Sequence, residues 1–170
     1  GILPGENAEV LQADVTLEAD MNYDVFAVGN VSDETLALLT VTSMETAVEA
    51  GNAQVQIVHA ASMAPTVDIY VTAPDTDITA EQPLVTAEFT DSTDLIQVPA
   101  GDYQIRITPA GETTVVYDSG TVNLADGADL LIAATNNVGT GESPVTLLAA
   151  DGDGSFKMWD TEAGAAIRVV

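Results

Sequence analysis

The sequence predicts an all-β protein made of antiparallel immunoglobulin-like β-sandwich repeats, one complete and one partial. Three observations carry this expectation. Apolar and polar residues alternate in short runs, as half-buried strands require. Turn residues punctuate those runs roughly every ten to fifteen residues, the rhythm of a sandwich. The chain also resembles itself. Val15-Thr16-Leu17, Val25, Ala27, Asn30 and Val31 recur as Val122-Asn123-Leu124, Ile132, Ala134, Asn137 and Val138, with Leu17 and Leu124 set 107 positions apart. A unit of about a hundred residues is the size of one sandwich domain. The chain is therefore expected to open midway through one repeat, run through a second, and stop as a third begins.

The elements follow in order. Residues 1–42 read as the second half of a repeat, with Thr35 to Thr42 as a strand. A helical reading of 33–39 and 44–50, capped by Ser32 or Asp33, is set aside because both stretches are short and rich in Thr and Val. Residues 43–52 are the expected linker. The complete repeat spans 53–160. Gln54 to His59 alternates, and so does Thr66 to Thr72, with Val67, Ile69 and Val71 on one face. Asp102 to Thr108 repeats the pattern, which places Tyr103, Ile105 and Ile107 inward and Arg106 outward. Leu130 to Ala134 and Val145 to Leu148 lack alternation and read as strands buried on both faces. The seven residues Val67, Ile69, Val71, Ile105, Ile107, Ile132 and Leu147 are expected to share one core. Pro74-Asp75, Pro99-Ala100-Gly101, Pro109-Ala110-Gly111, Asp126-Gly127 and Asp151-Gly152-Asp153-Gly154 supply the turns, since proline presets φ and glycine accepts positive φ. Residues 161–170 read as the opening strand of a further repeat or as a complementing strand.

Composition narrows the function classes. Three cations (Arg106, Lys157, Arg168) stand against 27 carboxylates, for a formal net charge of −24. So anionic a surface disfavours nucleic acid and anionic lipid as partners. It suits a solvated surface in salty water, where screening blunts self-repulsion. With no cysteine there is no disulfide scaffold, thiolate zinc site or cysteine nucleophile. No apolar run approaches the length of a membrane helix, so membrane insertion by a helix is not expected. Asn30-Val31-Ser32 is a formal glycosylation acceptor, a tripeptide common by chance.

Ala53 to Ser62, containing His59-Ala60-Ala61-Ser62, is followed by Ala64-Pro65-Thr66-Val67-Asp68-Ile69-Tyr70-Val71. Together they resemble the opening of the domain of unknown function 4397 family. Val98 to Gly111 resembles its central strand and turn, and residues 1–42 resemble the second half of another copy. Ala61 is one residue more than the family's His-Ala-Ser. Ala165 to Val170 resembles the family's first strand again. The resemblance implies a β-sandwich found in tandem in exported and cell-surface bacterial proteins, with no established enzymatic activity.

Candidate chemistry is sparse. His59 is the one histidine, so it would have to be the base of any Ser-His arrangement, with Ser62 or Asp68 nearby. No nucleophile-elbow motif accompanies it, and the favoured reading is a structural histidine. Asp151-Gly152-Asp153-Gly154-Ser155 resembles the first half of a calcium loop, with alternate carboxylates that can converge on a hard cation. Phe156 stands where an EF-hand needs glycine, although Glu162 occupies the twelfth position. A simple turn is preferred there, and Asp151 and Asp153 remain the metal candidates. Asp75 with Asp77, and Asp91 with Asp94, are weaker pairs of the same kind. Trp159 is the aromatic most open to surface exposure.

No catalytic residue and no cofactor is assigned, with calcium the one ion kept in view. The expected function is a non-enzymatic extracellular or cell-surface module, structural or adhesive, that associates with itself or with neighbouring repeats. Ile167, Arg168, Val169 and Val170 are the expected assembly residues, adding as a strand head-to-tail. The alternative is a carbohydrate- or calcium-binding surface module.

Overall fold

A computed structural model describes residues 12, 14–29, 34–139 and 143–161. The expected assembly residues Ile167 to Val170, Glu162 and the Asn30-Val31-Ser32 acceptor lie outside them. The described residues form an all-β protein without α-helices, and the chain divides into two compact units, Gly1–Glu45 and Thr46–Val170.

The first unit holds one antiparallel hairpin of β1 (Met21–Val28) and β2 (Ala37–Met44). Its strands carry Tyr, Val, Phe, Leu and Thr, which fit a pleated, half-buried surface. Val28 and Val41 are buried, at 6% and 2% exposure, on the face shared with Phe26 and Leu39. Val25, on the other face, is half exposed.

The second unit has two sheets. One has the strand order β11-β10-β9-β3-β6, from β3 (Asn52–His59), β6 (Ile96–Pro99), β9 (Asp129–Asn136), β10 (Val145–Ala150) and β11 (Ser155–Met158). The other has the order β5-β4-β7-β8, from β4 (Val67–Thr72), β5 (Val85–Ala87), β7 (Gly101–Pro109) and β8 (Tyr117–Leu124). A single 3-10 turn at Ile78–Ala80 joins β4 to β5. One core cluster takes residues from both sheets. Val55, Ile57, Ile132 and Leu147 from the first meet Val67, Ile69, Ile105 and Ile107 from the second, with Val71 packed against them. All seven expected core residues are there. Each such aliphatic side chain contributes about 1.5–3 kcal/mol on burial.

Two features depart from the sequence expectation. Among the described residues the strand pairings are antiparallel except one, since β3 runs parallel to β9, with Val55 beside Leu130 and Ile57 beside Ile132. Parallel neighbours need a crossover, and here the crossover is the other sheet itself, because β4, β5, β7 and β8 lie between β3 and β9 in sequence. Arg106 is the second departure. It is buried at 8% exposure instead of pointing into solvent. Strand alternation correctly turns it away from the core, but that outer face is itself covered. Tyr70 beside it and Gln104 are buried too, and the β4–β5 connection reaches this side through Asp75, whose N–H donates to Gln104 Oε1 at 2.8 Å.

The turns form where Pro, Gly and Asp were placed. At Ala125-Asp126-Gly127 the chain crosses between sheets and is tied to the start of β3. Gly127 N–H donates to the Asn52 carbonyl at 2.8 Å, and Asp126 Oδ1 accepts from Gly51 N–H at 2.7 Å. Gly127 has φ +78°, in the region that favours glycine.

Candidate functional site

Asp151 and Asp153 fall in the hairpin turn between β10 and β11. Asp151 Oδ1 accepts from Asp153 N–H at 3.1 Å and from Gly154 N–H at 2.9 Å, and Asp151 N–H closes the turn on the Gly154 carbonyl at 3.2 Å. This is an Asx turn, in which the carboxylate mimics a backbone acceptor. The weaker pairs behave alike. Asp77 Oδ1 accepts from Thr79 N–H at 3.0 Å and Thr79 Oγ1 at 2.7 Å, and these two bonds, the hydroxyl's first, hold its carboxyl below the usual range. Asp91 Oδ2 accepts from Glu88 N–H at 2.9 Å. Among the described residues, no three or more His, Asp or Glu side chains gather as a metal-binding group.

His59 ends β3 and is fully buried. Its Nδ1 accepts from Ala61 N–H at 3.3 Å, which leaves Nε2 as the donor to the Pro65 carbonyl at 3.1 Å. Phe89 packs edge-on against the ring, with centroids 6.4 Å apart. Both nitrogens thus fasten the β3–β4 connection. Ser62 and Asp68 are not brought to the ring. Ser62 Oγ accepts from Asn136 Nδ2 at 3.0 Å, and Asp68 receives the Thr86 hydroxyl and, at 2.7 Å, the Gly111 N–H.

The outer face of the β5-β4-β7-β8 sheet holds the polar layer that sequence reasoning missed. Gln104 Nε2 donates to both Asp118 oxygens, at 2.9 and 2.8 Å. Arg106 Nη2 donates to Thr72 Oγ1 at 2.8 Å, and its Nε is buried without a hydrogen-bond partner in the described structure. A buried guanidinium is costly unless its surroundings compensate. Asp118 stands opposite Arg106 in the strand register, and Asp77 lies within reach of its field. The signal that could have found this layer is the run of polar residues (Asp68, Gln104, Arg106, Thr108) at outward positions of strands that also carry Tyr70.

Beyond β11, the chain crosses to the edge strand β8. Tyr117 Oη donates to the Met158 carbonyl at 2.9 Å, Asp118 N–H to Asp160 Oδ1 at 3.2 Å, and Thr161 N–H to the Asp118 carbonyl at 2.8 Å. Trp159 within this crossing is 71% exposed, with Lys157 Nζ 4.5 Å from its ring centroid.

The comparisons with known proteins bear on this arrangement. No curated protein and no solved structure matches the chain. The family model of the domain of unknown function DUF4397 matches residues 3–70, which takes in the β1–β2 hairpin, β3, His59 and most of β4. That is the family which the His59-Ala60-Ala61-Ser62 and Val67-Asp68-Ile69-Tyr70 stretches resemble, and its model matches this chain over residues 3–70.

Proposed function

We propose that the chain is a non-enzymatic structural or adhesive module of immunoglobulin-like β-sandwich repeats, working outside the cell by associating with copies of itself or with neighbouring repeats. One observation carries this reading: the chain's one histidine and several of its carboxylates are committed to holding the backbone. Both nitrogens of His59 fasten a connection, and the carboxylates of Asp68, Asp77, Asp91, Asp118, Asp126 and Asp151 each accept hydrogen bonds that shape a turn or cover a face. Such a fold offers its strand edges and surfaces as points of contact.

Sedimentation of the full chain over a wide concentration range tests this. Mass rising with concentration is the expected result. A strictly monomeric chain at the highest concentration overturns the self-associating reading. A second reading, a carbohydrate- or calcium-binding surface module, is favoured by the exposed Trp159, whose indole could stack on a sugar. A glycan array and a calcium titration against melting temperature separate the two.

A further inference from the structure

The sequence holds three Asp-Gly pairs: Asp126-Gly127, Asp151-Gly152 and Asp153-Gly154. An Asp-Gly pair can lose water without any enzyme. The glycine amide nitrogen bonds to Cγ of the protonated aspartyl carboxyl, and the carboxyl hydroxyl leaves with the amide proton as water. The product is a five-membered succinimide. Glycine favours this step because no Cβ screens its nitrogen. Water then opens the ring at either carbonyl. Opening at the side-chain carbonyl restores aspartate, and opening at the main-chain carbonyl leaves isoaspartate, with the main chain running on through Cβ. The water lost in closing the ring is regained in opening it, and nothing is oxidised or reduced.

All six residues are exposed, so access of water does not tell the three pairs apart. Hydrogen bonding does. Gly127 N–H donates to the Asn52 carbonyl at 2.8 Å, and the Asp126 carboxylate is held by Gly51 N–H at 2.7 Å. Gly154 N–H donates to Asp151 Oδ1 at 2.9 Å. Two of the three nucleophiles are therefore tied. Gly152 N–H has no hydrogen-bond partner among the described residues. Its electrophile is placed as well. Asp151 Oδ1 accepts from the N–H groups of Asp153 and Gly154, which lays the carboxyl over the peptides that follow and brings Cγ towards the free nitrogen. There is also room for the ring. Gly152 has φ +84°, and nothing stands within 4 Å of where a Cβ would be.

We propose that the β10–β11 turn is a site of spontaneous covalent modification, where Asp151 passes through a succinimide to isoaspartate faster than Asp126 or Asp153 does. The fold sets this order, since the three dipeptides are chemically alike. Conversion adds one carbon to the main chain inside the turn. It also makes the side-chain carbonyl part of the backbone, which removes the acceptor that Asp153 and Gly154 share. β11 begins at Ser155, directly after the turn, and pairs with β10 over only four positions. Ageing at Asp151 therefore loosens the start of an edge strand.

The test incubates the full folded chain in heavy-oxygen water, with a parallel sample unfolded in urea. Peptide mapping then reads heavy oxygen and isoaspartate at each of the three aspartates. In the folded chain Asp151 should take up label and convert at least threefold faster than Asp126 or Asp153. In urea the three rates should draw together. Equal rates in the folded chain, or a faster Asp126 or Asp153, would overturn the proposal. So would the same order in urea, because the fold would then not be its cause, and so would a folded Asp151 that stays unlabelled while the unfolded one converts. Amide exchange of the aged chain is an independent readout. It should quicken at Asp153 and Gly154 and stay unchanged at Gly127, and unchanged exchange at all three would sink the loosening of β11.

Discussion

Ile105 shows how far a single residue can be read. Strand alternation turns it inward, and it lies in the shared core at 2% exposure. Replacing it with Ala removes three carbons from a packed site and should cost about 2–5 kcal/mol of unfolding free energy in a denaturant titration. Arg106, one position on, was equally readable in parity and misread in consequence. Alternation says which face a residue takes, but not whether another segment covers that face. Tyr117 makes a prediction about pH. Burial, then the charges of Asp160 and Asp118, raises its phenol above the ordinary tyrosine value. The unfolded chain therefore loses this proton at a lower pH than the folded one does. Tyr117 supports the fold fully below the unfolded value, and this support is lost as pH rises from there towards the folded value. Melting temperature should fall above about pH 10, and Tyr117→Phe should flatten part of that alkaline slope while lowering stability by about 1 kcal/mol at neutral pH through the lost bond to Met158.

At the scale of elements, the crossing from β11 to β8 depends on one glycine. Gly120 has φ +61°, and a Cβ there would stand 2.7 Å from Thr161 Cγ2. Gly120→Ala should destabilise the second unit by more than about 1–2 kcal/mol, since the backbone strain alone supplies that much and the clash adds to it. Adding Thr161→Ser removes the facing methyl and should recover the steric part, as read by the midpoint of urea unfolding. Strand positions were largely readable: Thr35 to Thr42 overlaps β2, and Gln54 to His59, Thr66 to Thr72 and Asp102 to Thr108 overlap β3, β4 and β7. Partnership was not. Nothing local to Val55 or Leu130 says that they lie side by side, because parallel pairing is settled by the path of the intervening chain. The sequence spacing of 107 read at Leu17 and Leu124 does not carry into the strands, where the β1–β2 and β9–β10 hairpins match at 108. A slip of one residue exchanges the faces of a strand, so Val25 is solvent-facing while Ile132, its counterpart at 107, is buried. For the candidate site, the turn role favoured for Asp151 was legible from its Gly neighbours, whereas the polar layer around Gln104 and Asp118 depended on contacts between distant strands.

The whole molecule carries 27 carboxylates against three cations. Repulsion among them opposes compaction and is screened within about 8 Å at 0.15 M salt. Raising sodium chloride from 0.05 to about 1 M should therefore raise the melting temperature, and a fall would show that specific ion pairs outweigh the general field. The placement of β3 between β9 and β6 has a consequence for how the second unit reaches its native state. β3 is the first strand of that unit to be synthesised, yet Val55 pairs with Ile96 on one side and Leu130 on the other. It has no neighbour until long loops have closed, and closure entropy must be met before those contacts repay it. During synthesis this apolar strand waits for partners of its own kind, and folding belongs to the slow, millisecond-to-second class of β proteins. The same wait leaves a nascent chain open to capture by any other strand of similar pattern, so the architecture that makes the finished unit coherent also makes its birth the moment of greatest risk of mispairing.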